Sequence, residues 1–342
     1  MTHGNHECNK RFCDNSRQNK ETGHLCYMRP LKDSLPPASD KVLYVFYDSE
    51  TTQNTEYTDE AKLHVPNLVC VQQFCSKCEV VEDGDCVQCG RRKHSLLQYP
   101  LGDLHSYLTE PRPWANTIVA IAHNAKSFDI HFILNRAILL KWKPELIMNG
   151  LKIMSMKMEN LVFLVSVSFL PCSLRMLPEA YCLTASKSWY PLYFNTEEIP
   201  DVTYYGVNEI GEEEGQEFLA WYESQKSGHF DNRRVLEKYF QDDVTFLRQA
   251  CRVFRRQFMH TGNIDVFLES VKISSACNKV FRKRFQQPYT IGLIPIGGYS
   301  CNNNYSKKAL MWLLHMEETH GVNIMHCRNC LEYMYPNCPA SV

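Results

Sequence analysis

No apolar run in the 342 residues approaches the roughly 20 that a helix needs to cross a bilayer. The opening residues, Met1-Thr2-His3-Gly4-Asn5-His6, are polar and lack the apolar core of a secretory signal. Net charge is scarce too: 37 Lys and Arg against 38 Asp and Glu leave a formal charge of -1, which selects no class of partner. These absences set the expectation of an intracellular chain, neither secreted nor membrane-bound, in which cysteines stay reduced. Cysteine itself is plentiful. Sixteen in a reducing compartment invite a metal reading rather than a disulfide one.

The length allows two or three domains, and 44% hydrophobic with 22% charged residues is ordinary for a folded chain. The near-zero charge hides a segregation. Glu197 to Glu217 holds eight acids and no Lys or Arg, whereas Arg248 to Lys308 holds eleven Lys and Arg and two acids. The basic stretch reads as a polyanion-facing surface or as a solvated helix face, and the sequence leaves both open.

The pivotal stretch runs from Val42 to Thr52. Six β-prone residues, Val42-Leu43-Tyr44-Val45-Phe46-Tyr47, lead into Asp48-Ser49-Glu50. Residues two apart on a strand project to one face, so two carboxylates meet there and repel unless a cation lies between them. Read alone, the stretch is equally a strand entering a polar turn, and Gln53 to Asp59 reads as that turn.

A second strand, Leu68 to Phe74, runs into Cys75-x2-Cys78, seven residues, and Cys86-x2-Cys89-Gly90. Paired Cys-x2-Cys knuckles each point two thiolates at one ion, and two of them complete a tetrahedron; the expectation is a closed structural Zn²⁺ site. Cys8, Cys13, His24 and Cys26 put four soft ligands in nineteen residues of an apolar-poor segment. That segment is either folded by a second zinc or a Cys-containing tail. Leu35 to Asp40 reads as a linker.

Thr117 to Ala122 is a further buried strand, followed by His123-Asn124-x3-Phe128-Asp129 and an amphipathic helix from Ile130 to Leu140. Asp129 stands where an N-cap or first-turn acid stands. Residues 150–170 read as a hairpin turning at Glu159-Asn160, and Lys187 to Phe194 is an aromatic stretch with one lysine. Asn232 to Phe258 reads as one long helix capped at Asp231/Asn232, in which Tyr239 and Asp243 share a face. Further helices are expected over Ile273 to Phe285 and Ser306 to Glu318.

Asp48, Glu50, Asp129, Tyr239 and Asp243 therefore recur in order on strands, strand ends and a helix, a set suited to two-metal phosphoryl chemistry. With those residues in view, the chain resembles the protein-primed branch of family B DNA polymerases, of the kind encoded by Polinton/Maverick elements and related viruses. Asp48-Ser49-Glu50, His123-Asn124-x3-Phe128-Asp129 and Tyr239-x3-Asp243 resemble its three exonuclease motifs, and Lys187-x2-Tyr190 its lysine motif. The resemblance covers about residues 20 to 330. It implies an α/β, ribonuclease H-like exonuclease fold over residues 41–258, a mixed sheet flanked by helices with a zinc-knuckle insertion at 75–90. Residues 1–40 would precede it and the basic residues 259–342 follow it. It further implies two Mg²⁺ or Mn²⁺ ions on Asp48, Glu50, Asp129 and Asp243, and Tyr239 orienting water. Lys187 would stabilise phosphate charge, and Asn124, Phe128 and Ser166 would touch the 3′ end of single-stranded or primer-template DNA. A terminal priming protein and a nuclear or replication-site location are implied with it. Two departures stand out. Val165 replaces an acid that the family usually carries before its Ser-Leu pair. The palm motifs Asp-x2-Ser-Leu-Tyr-Pro and Asp-Thr-Asp do not occur before the chain stops at Val342, so the expectation is an exonuclease without primer extension. The competing expectation is a non-catalytic, zinc-stabilised DNA-binding or interaction protein.

Overall fold

The computed structural model describes residues 10–13, 18–21, 26–32, 41–58, 61–79, 84–183, 188–190, 201–205, 212–226, 231–293 and 307–322. Two compact units emerge. One is Asp33–Phe281; the other joins Met1–Lys32 to Arg282–Val342. The sequence reading sets its boundaries at 40 and 258.

The larger unit is built on a seven-stranded sheet. Its strands are β3 (Val42–Thr58), β4 (Ala61–Cys75), β5 (Lys93–Leu96), β6 (Thr117–Ala122), β7 (Glu145–Asn149), β8 (Lys152–Met158) and β9 (Leu161–Val165), in the order β5-β4-β3-β6-β9-β8-β7. β3, β6 and β9 run parallel at the centre, and every other pairing is antiparallel. The sheet is thus mixed, and helices cover both faces.

Strand alternation divides the core in two. Tyr44 and Phe46 of β3 pack with Tyr239, Val244, Leu247 and Phe254 of α5 (Asn232–Gly262). Leu43, Val45 and Tyr47 face the other way, onto Leu104 and Leu108 of α1 (Pro100–Thr109) and Ile130 and Ala137 of α2 (Asp129–Leu139). Coverage on both sides explains why Leu68 to Cys75 of β4 is buried without alternation. Each fully buried Leu or Phe here contributes roughly 1.5–3 kcal/mol. α5 starts at Asp231, whose carboxylate accepts from the Arg234 amide at 3.1 Å, and stops at left-handed Asn263, whose amide bonds Met259 O at 2.9 Å.

One expected element differs. Gln53 to Thr58 is strand rather than turn, because β3 continues to Thr58 and pairs with β4 from Ala61 onward; Asp59 lies outside the described residues. β-branched Thr51, Thr52, Thr55 and Thr58 favour extension, and register shifts after Glu50, Thr52 and Glu56 bend the resulting arm. Also in this unit are α3 (Leu177–Ala180), α4 (Glu212–Lys226), α6 (Val266–Glu269) and most of α7 (Ile273–Arg284).

The smaller unit holds a hairpin, β1 (Lys10–Cys13) with β2 (Gln18–Glu21), and α8 (Lys307–His320). Residues 26–31 pair with its C-terminal part: Met28 N bonds Ile291 O at 2.8 Å, Leu293 N bonds Cys26 O at 2.7 Å, and Leu31 N bonds Arg282 O at 2.9 Å. Among the described residues no helix is long and apolar enough to cross a membrane.

Candidate active site

Asp48 and Glu50 pair with Cys70 and Leu68 across β3–β4, and those partners belong to the α5-facing core. The two acids therefore stand on the α5 face, half-buried, while buried Ser49 points to the α2 side. Its Oγ donates to Asp129 Oδ1. Asp129 is the first-turn acid of α2 rather than its N-cap. Phe128 occupies the N-cap with no side-chain bond, and Asp129 opens α2, 6% exposed. Burial pushes its carboxyl upward, and the Ser49 hydroxyl and amide oppose that shift.

From the opposite side α5 presents Tyr239 and Asp243, 8% and 5% exposed. The charges of all four acids are felt at shared neighbours. Burial raises Glu50 to about 7, against a bond from the Thr51 amide, and the charges of Asp129 and Asp243 add to the rise. Burial also raises the Tyr47 phenol, helped by Asp129 and Asp48, and the Cys70 thiol, helped by Asp48 and Asp243. Segments nearly 200 residues apart thus bring their carboxylates within electrostatic reach of one another. The oxygens are held more openly than the sulfurs described below. Among the described residues, the potential metal ligands drawn within 4.8 Å of one another in a group of three or more are Cys75, Cys78, Cys86 and Cys89.

Tyr190 joins the carboxylates from residues 188–190. Its ring lies 5.7 Å from that of Tyr239, and burial raises its phenol to about 12, with Glu50 adding to the rise. Ser188 Oγ donates to Asp242 Oδ2, which ties the same segment to α5. Lys187 lies outside the described residues.

Asn124 is exposed at the end of β6, and Phe128 is half-buried. Phe128 stacks edge-on with Phe132 at 5.0 Å and with His64 of the β3–β4 arm at 5.1 Å. His64 Nδ1 lies 3.0 Å from Thr51 Oγ1. Ser166 is fully buried; its Oγ is 2.8 Å from His123 Nδ1, and His123 Nε2 is 3.0 Å from Cys172 O. Burial lowers the His123 pKa, against the bond to the Cys172 carbonyl. Ser166 therefore holds the strand end from which Asn124 projects. Local sequence carries no signal for His64, because its contact depends on hairpin register. Tyr190 and Ser49 lay inside recognised motifs without an assigned role.

The four cysteines at the end of β4 form a compact group. Sγ separations are 3.9 Å for Cys75–Cys78, 3.8 Å for Cys75–Cys86 and 3.5 Å for Cys78–Cys89. A zinc ion with bonds of about 2.3 Å sets tetrahedral sulfurs about 3.8 Å apart. The amides of Cys75 and Gln88 point at Cys78 and Cys86 sulfurs at 3.4 Å, and Gly84 and Gly90 take left-handed φ of 91° and 79°. Such a cluster suits a soft metal such as zinc. Of the N-terminal set, Cys8 and His24 lie outside the described residues, Cys13 ends β1 and Cys26 is half-buried.

A family model described as DNA polymerase type B, organellar and viral, matches residues 115–319. The chain belongs to that family. The matched span of this family B chain includes Asp129, Tyr239 and Asp243 and begins after Asp48, Glu50 and the four cysteines. No curated protein matches it. Similar solved structures include phi29 DNA polymerase complexed with primer-template DNA and incoming nucleotides, at 12% identity and a TM-score of 0.40, covering 71% of this chain and 34% of that one. Phi29 DNA polymerase complexed with single-stranded DNA matches at 11% identity and a TM-score of 0.37, covering 64% and 32%. The family B chain spans about a third of the length of these polymerases.

Proposed function

We propose that this chain is the 3′–5′ exonuclease portion of a protein-primed family B DNA polymerase, hydrolysing the 3′-terminal phosphodiester of single-stranded DNA during replication. The fold proposed for it is ribonuclease H-like, which suits three central parallel strands with antiparallel flanks. One observation carries the reading: Asp48 and Glu50 stand on the strand face that α5 covers with Tyr239 and Asp243, and Ser49 between them bonds Asp129, so three motifs distant in sequence meet. Four carboxylates, with the charges of Asp129 and Asp243 acting at Glu50, fit hard divalent cations, and Asp48, Glu50, Asp129 and Asp243 would hold Mg²⁺ or Mn²⁺. Bound there, two such cations supply Lewis-acid polarisation of the phosphate and a more acidic water.

The chain's own groups do the rest. The Tyr239 hydroxyl, steadied by Tyr190, orients the attacking water. Lys187 meets charge developing on the scissile phosphate. Phe128, backed by His64 and Phe132, packs against a terminal base or sugar, and Asn124 bonds beside it. Ser166 acts through His123, by fixing the turn that carries Asn124. DNA is the substrate, a terminal priming protein the expected partner, and the nucleus or the site of element or viral replication the expected location.

A 5′-labelled single strand with Mg²⁺ or Mn²⁺ tests this. The parent yields 3′-shortened products, and Asp48→Ala/Glu50→Ala yields none. Equal ladders from both proteins, or none from either, reject the hydrolytic reading and favour a non-catalytic DNA-binding role.

A further inference from the structure

The residue that follows the second cysteine of the cluster is gripped by α5. Glu79 Oε1 accepts from Arg255 Nη1 at 2.8 Å, and the Glu79 carbonyl accepts from Arg252 Nη1 at 3.0 Å and Arg256 Nη2 at 3.4 Å. The Arg255 side chain is 4% exposed, and its other nitrogens reach Asp265 Oδ2 at 2.7 and 2.8 Å. Asp265 is fully buried and also accepts from Tyr44 Oη of β3. Contacts thus run from the cysteine cluster through Glu79 to α5 and on to the central strand.

Arg255 is a buried cation between two carboxylates, and losing either partner leaves its charge under-compensated. Glu79 can stay in place only if the loop holding it does. Among its described residues the loop buries little apolar material: Val87 is fully exposed, and Gly84, Asp85 and Gly90 face solvent. Its geometry comes from the four sulfurs, the Cys86–Gly90 backbone pair at 2.8 and 2.9 Å, buried Arg92 Nε, which bonds Gly84 O at 3.2 Å, and Gln73 Nε2, which bonds Cys89 O at 2.5 Å and Arg91 O at 2.8 Å.

We infer that one zinc ion on Cys75, Cys78, Cys86 and Cys89 is a staple: it fixes Glu79 against Arg252 and Arg255 and thereby holds the C-terminal half of α5 on the sheet. The staple stands without the exonuclease reading. Its consequence for Tyr239 and Asp243, which ride on the same helix, rests on that reading.

Metal content and amide hydrogen exchange on the full chain test the staple directly, without an activity readout. Cys86→Ser/Cys89→Ser is expected to carry one zinc fewer than the parent, and Glu79→Ala to keep the parent's zinc. Both are expected to exchange about tenfold faster over residues 248–262 while β6 keeps its protection. Parental zinc in the cysteine variant, or parental exchange over residues 248–262 in either variant, overturns the inference. Should the cysteine variant not fold, Glu79→Ala decides alone, since it leaves every sulfur in place.

Discussion

At Glu50 the needs of folding and of metal binding oppose each other. Its carboxyl is raised from 4.5 to about 7, so the folded chain favours the protonated form. A group raised on folding contributes stability that is complete below its unfolded value and disappears as pH climbs through the folded one. Without divalent cations the parent should therefore lose melting temperature between about pH 5 and pH 8, and Glu50→Gln should lose less. Millimolar Mn²⁺ should raise the parent's melting temperature more at about pH 8 than at about pH 5.5; equal rises would contradict metal binding at the ionised site. The same Glu50→Gln should cost about a hundredfold or more in nuclease rate. At His64 the expectation is different in kind. An edge-on aromatic contact contributes about 0.5–1.5 kcal/mol, so His64→Ala should raise KM for a single-stranded oligonucleotide about 3–10-fold through a looser Phe128. The value of kcat should stay within about twofold, because His64 enters the proposed scheme through Phe128, which packs against the terminal nucleotide. A drop in kcat alone would place His64 elsewhere in the mechanism.

Helix α5 is held to β4 by a buried polar seam. Gln72 is fully buried; its Nε2 donates to Gln241 O at 2.9 Å and Thr245 Oγ1 at 2.8 Å, and its Oε1 accepts from Arg248 Nε at 2.8 Å. Removing it strips a partner from a buried guanidinium and opens a cavity. Gln72→Ala should cost about 2–4 kcal/mol, read from the urea midpoint at unchanged slope. A cost below about 1 kcal/mol would show that the apolar side of the seam alone fixes the helix. None of this was legible in the sequence, where Gln72 reads as one polar residue in an apolar strand. α5 itself was legible, since its apolar spacing and Asp231 cap are local signals. So were β6 and the β8–β9 hairpin. The β3–β4 arm was missed because Gln53 to Asp59 is polar and its extension is enforced by pairing with residues after Ala61. Short β5 and α1 carry too few residues for a period to stand out. Ser49's grip on Asp129 and Tyr190's place beside Tyr239 depend on chain segments meeting in space, which spacing alone does not encode.

At the scale of the molecule, the larger unit is continuous in sequence, whereas the smaller one is assembled from both ends of the chain. Asp33–Phe281 contains the whole sheet, both faces of its core, the four candidate acids and the four clustered cysteines. A unit of that size buries enough apolar surface to fold alone. The fragment to test runs from Asp33 to Arg284, so that α7 is not cut within its last turn. It should unfold in a single cooperative transition, carry the cluster zinc and shorten single-stranded DNA within about threefold of the full chain's rate. The smaller unit would then serve binding or placement of DNA, where the basic residues Arg29, Lys32, Lys307 and Lys308, absent from the fragment, belong. In that case the fragment's loss is confined to affinity, and binding weakens more steeply with salt for the full chain than for the fragment, because the fragment neutralises fewer phosphates. A fragment that folds and holds zinc but loses turnover at saturating DNA would instead make the smaller unit part of the catalytic assembly, and an insoluble or non-cooperative one would show that the two units fold only together.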